Sequence, residues 1–167
     1  MENMSMLGHL PLTKAKYDAM AVEPSLSETT ASPEFLTAFN KRAVQVSCND
    51  DEVLFRIGEP GTSVYLVRSG EVGLVLPVSD TEGIGFRAKA GSLVGLPAAF
   101  SNEPYSMTAI AWRGSEIAVM SRERFCDLIA SDHALSLDVL KILAAETRAA
   151  RIAIVEAGAK RRAVVCR

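Results

Sequence analysis

The feature that most constrains this chain is the way residues 44–120 are cut into short runs. "VLFRIG", "SVYLVRSGEVGLVLPV", "GIGFRAKAG", "MTAIAWR" and "EIAVMS" are rich in β-branched and aromatic residues, and Gly, Pro and Asp separate them. Runs of this length with frequent turn signals make an antiparallel sandwich or barrel. "VRSGEV" reads as a tight hairpin, with Gly70 supplying the positive φ of its turn. Gly58, Gly61, Gly91 and Gly114 mark further corners.

Helical patterns lie on both sides of this segment. Ser32-Pro33-Glu34 sets up a helix start with Pro33 at the first position, and Phe35, Leu36 and Phe39 form its apolar face. Ser121 is a good N-cap for "SRERFCDLIASD". A long helix follows from about residue 134 to 157, with Gly158 as its stop. The expected fold is therefore mainly β: an antiparallel β roll or jelly roll, with an N-terminal helix and a C-terminal helix pair whose second member is of the dimerisation type. Residues 1–32, which include the Ser/Thr/Pro-rich "EPSLSETTASPEF", read as an arm or linker, 33–158 as the domain and 159–167 as a basic tail.

On the long helix Leu140, Leu143, Thr147, Ala150 and Ile154 recur at spacings of 3, 4, 3 and 4, a heptad-like seam. Val139, Ile142, Ile152 and Val155 lie off it. A helix apolar on more than one side needs more than one partner, and about 24 residues span roughly 36 Å, more than a small roll requires. The seam is assigned to a homodimer interface.

Bulk properties narrow the function. A net charge of −2 and no residues left for a helix-turn-helix argue against direct nucleic-acid binding, and Lys160, Arg161, Arg162 and Arg167 read as a solvated tail. With no apolar run of 18 residues, no membrane span is expected. Cys48, Cys126 and Cys166 are scattered and odd in number, which suits free thiols in the cytoplasm. With His9 and His133 the only histidines, no metal site or cofactor is expected. Asp50-Asp51-Glu52 reads as a solvated loop and Trp112 as strand packing. No Gly-x-Ser-x-Gly elbow and no lysine-bearing phosphate loop is present, so no catalysis is expected.

The stretch "AGSLVGLPAAFSNEPYSMTAIA", Ala90 to Ala111, reads as a small-molecule cradle with a short helix starting near Pro97. It has no Asp, Lys or Arg, and its one charge is Glu103. The candidate pocket residues are Gly95, Leu96, Pro97, Ala98, Ala99, Tyr105, Ser106, Met107 and Thr108.

The order of elements, with "IGEPGTSVYLVRSGEVGLVL", "AGSLVGLPAAF" and "SRERFCDLIASDHALSLDVLKIL", resembles the cyclic nucleotide-binding domain family, including the sensor half of catabolite-activator-type regulators. The resemblance spans about residues 34–158. It implies a cassette reading roughly Gly-Glu-(Leu/Ile/Phe)-(Ala/Gly), a loop, then Arg-x-Ala-(Thr/Ser), in which the arginine pairs with the cyclic phosphate and the glutamate holds the ribose. Here Gly95 and Thr108 match, but Leu96 stands at the glutamate position and Tyr105 at the arginine position. Where the family's long helix meets the purine, this chain has Ala149 and Ala150. Losing both charged anchors would weaken cyclic-nucleotide binding by on the order of 10³-fold. The expectation is a non-catalytic regulatory module, a homodimer with a small-molecule ligand in the roll or a protein partner. One alternative is a ligand-free interaction and dimerisation module. Another is a cyclic-nucleotide binder using a relocated arginine such as Arg68, Arg87 or Arg113.

Overall fold

The computed structural model describes residues 13–22, 30–78 and 83–165. In chain order the elements are α1 (Lys14–Met20), β1 (Ala21–Val22), α2 (Pro33–Arg42), β2 (Val44–Ser47), β3 (Glu52–Phe55), β4 (Ser63–Ser69), β5 (Glu71–Pro77), β6 (Gly83–Lys89) and β7 (Leu93–Val94). They continue as α3 (Leu96–Ser101), β8 (Thr108–Ala111), β9 (Glu116–Ser121), α4 (Arg122–Ser131) and α5 (His133–Val165). One sheet runs β1-β6-β5-β8-β3 and the other β2-β9-β4-β7. All pairings are antiparallel except β1 with β6. The expected β roll flanked by helices is the observed architecture.

The cores lie between the two sheets and on their outer faces. Between the sheets lie Phe55, Val67, Val72, Val94, Tyr105 and Ile117. On the outer face of the four-stranded sheet, Val64, Leu66 and Met120 pack against Phe35 and Phe39 of α2, Phe125 of α4 and Val139 of α5. The local signals for these helices act as read. Ser32 accepts from the Phe35 N–H at 3.2 Å, and Ser121 from the Arg124 N–H at 3.4 Å. Ser32 also donates to Asp138, which ties the start of α2 to α5.

Three expectations need correction. "VRSGEV" is not a hairpin: β4 pairs with β7 and β9, whereas β5 pairs with β6 and β8. Gly70, at φ +78°, is the corner where the chain crosses from one sheet to the other. A Cβ there would lie 2.4 Å from the Ser115 hydroxyl, which accepts from the Glu71 N–H and donates to the Glu71 carbonyl. The positive φ was legible, but a turn glycine serves a sheet-crossing corner as well as a hairpin.

The second correction is α5, which passes through Gly158 to Val165. A glycine within a helix costs about 1 kcal/mol against alanine and does not by itself stop one. The third concerns residues 1–32. Within them α1 docks on the chain's own five-stranded sheet, where Tyr17 and Trp112 meet edge to face at 5.2 Å and the Tyr17 hydroxyl donates to the Phe86 carbonyl. Residues 1–12, 23–29 and 166–167, including His9 and Cys166, lie outside the described residues.

Candidate functional site

A cavity of about 380 Å³ lies between the roll, α3 and α5. Its walls are mostly apolar: Phe55, Leu74, Phe86, Leu93, Val94 and Met107 from the roll side, Pro97 and Ala98 from α3, and Leu143, Ala150 and Ile154 from α5. Of the nine residues expected to form a pocket, Gly95, Pro97, Ala98, Tyr105, Ser106 and Met107 line it. Leu96 and Ala99 do not. Both are fully buried in the core that α2, α4 and α5 share with the four-stranded sheet. Thr108 lies outside the lining, and its hydroxyl accepts from the Ile57 N–H at 3.1 Å.

The cassette is built by close contacts that leave few groups for an anion. Gly95, at φ +80°, caps α3, and a Cβ on it would sit 3.0 Å from the Tyr105 ring and 3.2 Å from the Ser63 carbonyl. The Tyr105 ring therefore closes over Gly95. It stacks on Phe55 at 3.8 Å between centroids. Its hydroxyl donates to the Ser63 carbonyl at 2.8 Å and accepts from the Ser63 N–H at 3.1 Å, so it is committed to β4. Pro97 removes one amide from the first turn of α3. The far end of α3 is held by Arg122, whose Nε donates to the Ala99 carbonyl at 2.7 Å.

None of the arginines named as candidates lines the cavity. Arg68 pairs with Glu116, Arg87 pairs with Asp18 and Glu71, and the Arg113 backbone N–H donates to Asp51. Instead α5 brings in two charged groups that sequence reasoning did not select, Glu146 and Arg151. Burial pushes the Glu146 carboxyl up from about 4.5 to about 7. Among the described residues it has no hydrogen bond or ion pair. The signal for Glu146 was available. The stripe of α5 turned inward is Leu135, Val139, Ile142, Ala149 and Ala153, and Glu146 fills the missing position of that 4-3-4-3-4 series.

Of the seam assigned to a dimer interface, Leu143, Thr147, Ala150 and Ile154 line the cavity, while Leu140 is exposed. The Thr147 hydroxyl donates to the Leu143 carbonyl at 2.8 Å. Leu137, Leu140, Ile152, Ile154 and Val155 are each at least half exposed. Cys48 is buried, and its thiol is pushed up to about 11 by burial and then by the nearby Glu52 carboxylate. Trp112 packs in the α1 cluster, away from the cavity. No cluster of potential metal ligands occurs among the described residues. Among the same residues no helix is long and apolar enough to cross a membrane.

The family model for the cyclic nucleotide-binding domain matches residues 45–132, more than half of the 167-residue chain. The chain belongs to the cyclic nucleotide-binding domain family. Solved structures with this domain's fold include the Thermus thermophilus catabolite activator protein, at 21% identity and a TM-score of 0.65, over 76% of this chain and 60% of that one. The c-di-GMP-responsive global regulator CLP of Xanthomonas campestris matches at 21% identity and a TM-score of 0.59, over 78% of this chain and 63% of that one. The sensor domain of the transcriptional regulator DNR from Pseudomonas aeruginosa matches at 22% identity and a TM-score of 0.55, over 68% and 77%. The chain thus spans about 60% of the length of the Thermus regulator. No curated protein matches it.

Proposed function

We propose that the chain is a non-catalytic regulatory module of the cytoplasm whose roll cavity takes a small ligand other than a conventionally held cyclic mononucleotide. The observation that carries this reading is the cavity itself: about 380 Å³, in the size range of ligand sites, and mostly apolar. At the phosphate end of the cassette stand Tyr105, committed to Ser63, and Pro97, without an N–H. A cyclic phosphate seated there would be a buried anion lacking its cation, which costs several kcal/mol.

Ligand occupancy would be read through α3. That helix is bonded through Arg122 to α4, which packs on α5. A ligand shifts this arrangement only to the extent that it binds one state better than the other. The exposed apolar residues of α5, Leu137, Leu140, Ile152 and Val155, support the dimerisation part of the reading, in which two copies pair along that helix. A downstream protein partner would sense the pair.

Arg151 favours a second reading, a cyclic-nucleotide site with a relocated arginine, because it lines the cavity. Glu146 on the same helix opposes it, since its carboxylate would repel a phosphate. Titration calorimetry against cyclic AMP, cyclic GMP and a cyclic dinucleotide decides between them. The main reading expects no heat at micromolar ligand. Saturable heat with any of the three, lost in Arg151→Met, would establish the second reading.

A further inference from the structure

Among the described residues, three polar side chains of the cavity lining, Ser106, Glu146 and Arg151, have no hydrogen bond or ion pair, and of these only Glu146 stands in line with the inward stripe of α5. Two others are committed. The Tyr105 hydroxyl is bonded twice to Ser63, and the Thr147 hydroxyl donates to Leu143. Among the described residues the inward series of α5 is Leu135, Val139, Ile142, Ala149 and Ala153, and Glu146 sits at its gap, where packing alone would favour another hydrophobe. It is partly buried, lines the cavity, and has neither a hydrogen bond nor an ion pair among the described residues. A carboxylate partly withdrawn from water and without a partner is destabilised, and an incoming cation would offset that cost.

We propose that the cavity takes a small, largely apolar molecule carrying a protonated amine, with the ammonium at the Glu146 carboxylate and the hydrocarbon body against Phe55, Phe86, Leu93 and Met107. This rests on the reading of the cavity as a ligand site. The chemistry is complementary on both counts. The walls remove apolar surface from water, and the carboxylate supplies one charge-assisted hydrogen bond. The other titratable or charged groups lining the cavity are Tyr105 and Arg151. Tyr105 is buried and committed to Ser63. Arg151 is exposed and lies about 140° around the helix from Glu146, so water screens its charge. Strands β3, β5, β6 and β7 and helix α3 present no lysine, histidine or acid to the cavity.

The test uses three probes with one ring system on the full chain: 2-(1-naphthyl)ethylamine, 2-(1-naphthyl)ethanol and 1-naphthylacetate. Binding is followed by titration calorimetry and by the methyl NMR signals of Met107 and Leu93. The amine should bind at least about tenfold more tightly than the alcohol, and the carboxylate most weakly. Glu146→Gln should bring the amine to within about twofold of the alcohol and leave the alcohol unchanged. The advantage of the amine should grow from about pH 6 to about pH 8, as Glu146 ionises and the amine remains protonated. Equal affinities, tightest binding by the carboxylate, or an amine advantage that survives Glu146→Gln would each overturn the head-group assignment while leaving a ligand cavity. Failure of all three probes to shift Met107 or Leu93 would overturn the cavity reading as well.

Discussion

Replacing Glu146 by glutamine should reveal how much stability this protein gives up for an acid in an apolar wall. The carboxyl is raised from about 4.5 to about 7 by burial alone. Each tenfold change in proton affinity corresponds to about 1.36 kcal/mol, so the ceiling is about 3 kcal/mol; water entering at the cavity mouth reduces this to roughly 2 kcal/mol. The sign follows from proton counts. Below about pH 4.5 both folded and unfolded states hold the proton and there is no penalty. Between about 4.5 and 7 the folded state holds more protons than the unfolded state, so the wild type loses stability as pH rises. Above about 7 the penalty is complete. Glutamine fills the same space and never ionises. Urea denaturation of both proteins from about pH 5 to pH 8 should give midpoints that coincide near pH 5 and separate by about 1 M near pH 8, the variant being the more stable. Parallel midpoints across the range, or a variant less stable at pH 8, would refute the argument that Glu146 is desolvated and unpartnered. Comparing the two proteins at each pH cancels the titration of all other carboxylates.

Tyr105→Phe leaves the Ser63 N–H and carbonyl without their shared partner and should cost about 1–2 kcal/mol in thermal or denaturant unfolding, with little effect on probe binding in the cavity. Arg122→Met keeps the length of the side chain but removes its bond to the Ala99 carbonyl; hydrogen exchange of the Ala99 and Phe100 amides should accelerate about fivefold, without comparable change in β4. Leu140→Glu, on the exposed face of α5, should shift the protein toward monomer in sedimentation velocity, and an unchanged profile would remove Leu140 from the proposed interface. Leu143 is a poorer choice for that test, because it is partly buried against the helical core as well as lining the cavity.

Much of the fold was legible because it is decided locally. The strand runs are short and punctuated by glycine, and the starts of α2 and α4 are written in Ser32-Pro33 and Ser121, whose serine side chains make the capping bonds expected of them. Gly95, singled out by the resemblance, takes a positive φ and lies against the Tyr105 ring. Leu96 shows the limit of reading by position. Aligned with a ligand-holding glutamate, it turns instead into the core that α2, α4 and α5 share with the four-stranded sheet. A six-residue helix presents its successive side chains to different neighbours, and sequence does not say which neighbour lies on which side.

The chain by itself determined that residues 44–120 would form a β roll and that helices would flank it. Tertiary structure alone decided which sheet each side of Gly70 joins and which face of α5 meets the roll. Two apolar stripes on α5, one through Leu140, Leu143, Thr147, Ala150 and Ile154 and one through Leu135, Val139, Ile142, Ala149 and Ala153, satisfy helical periodicity equally well. Only the surface offered by the four-stranded sheet and β6 buries the second and leaves the first bordering the cavity and solvent, and Glu146, in line with the second, comes to the cavity wall.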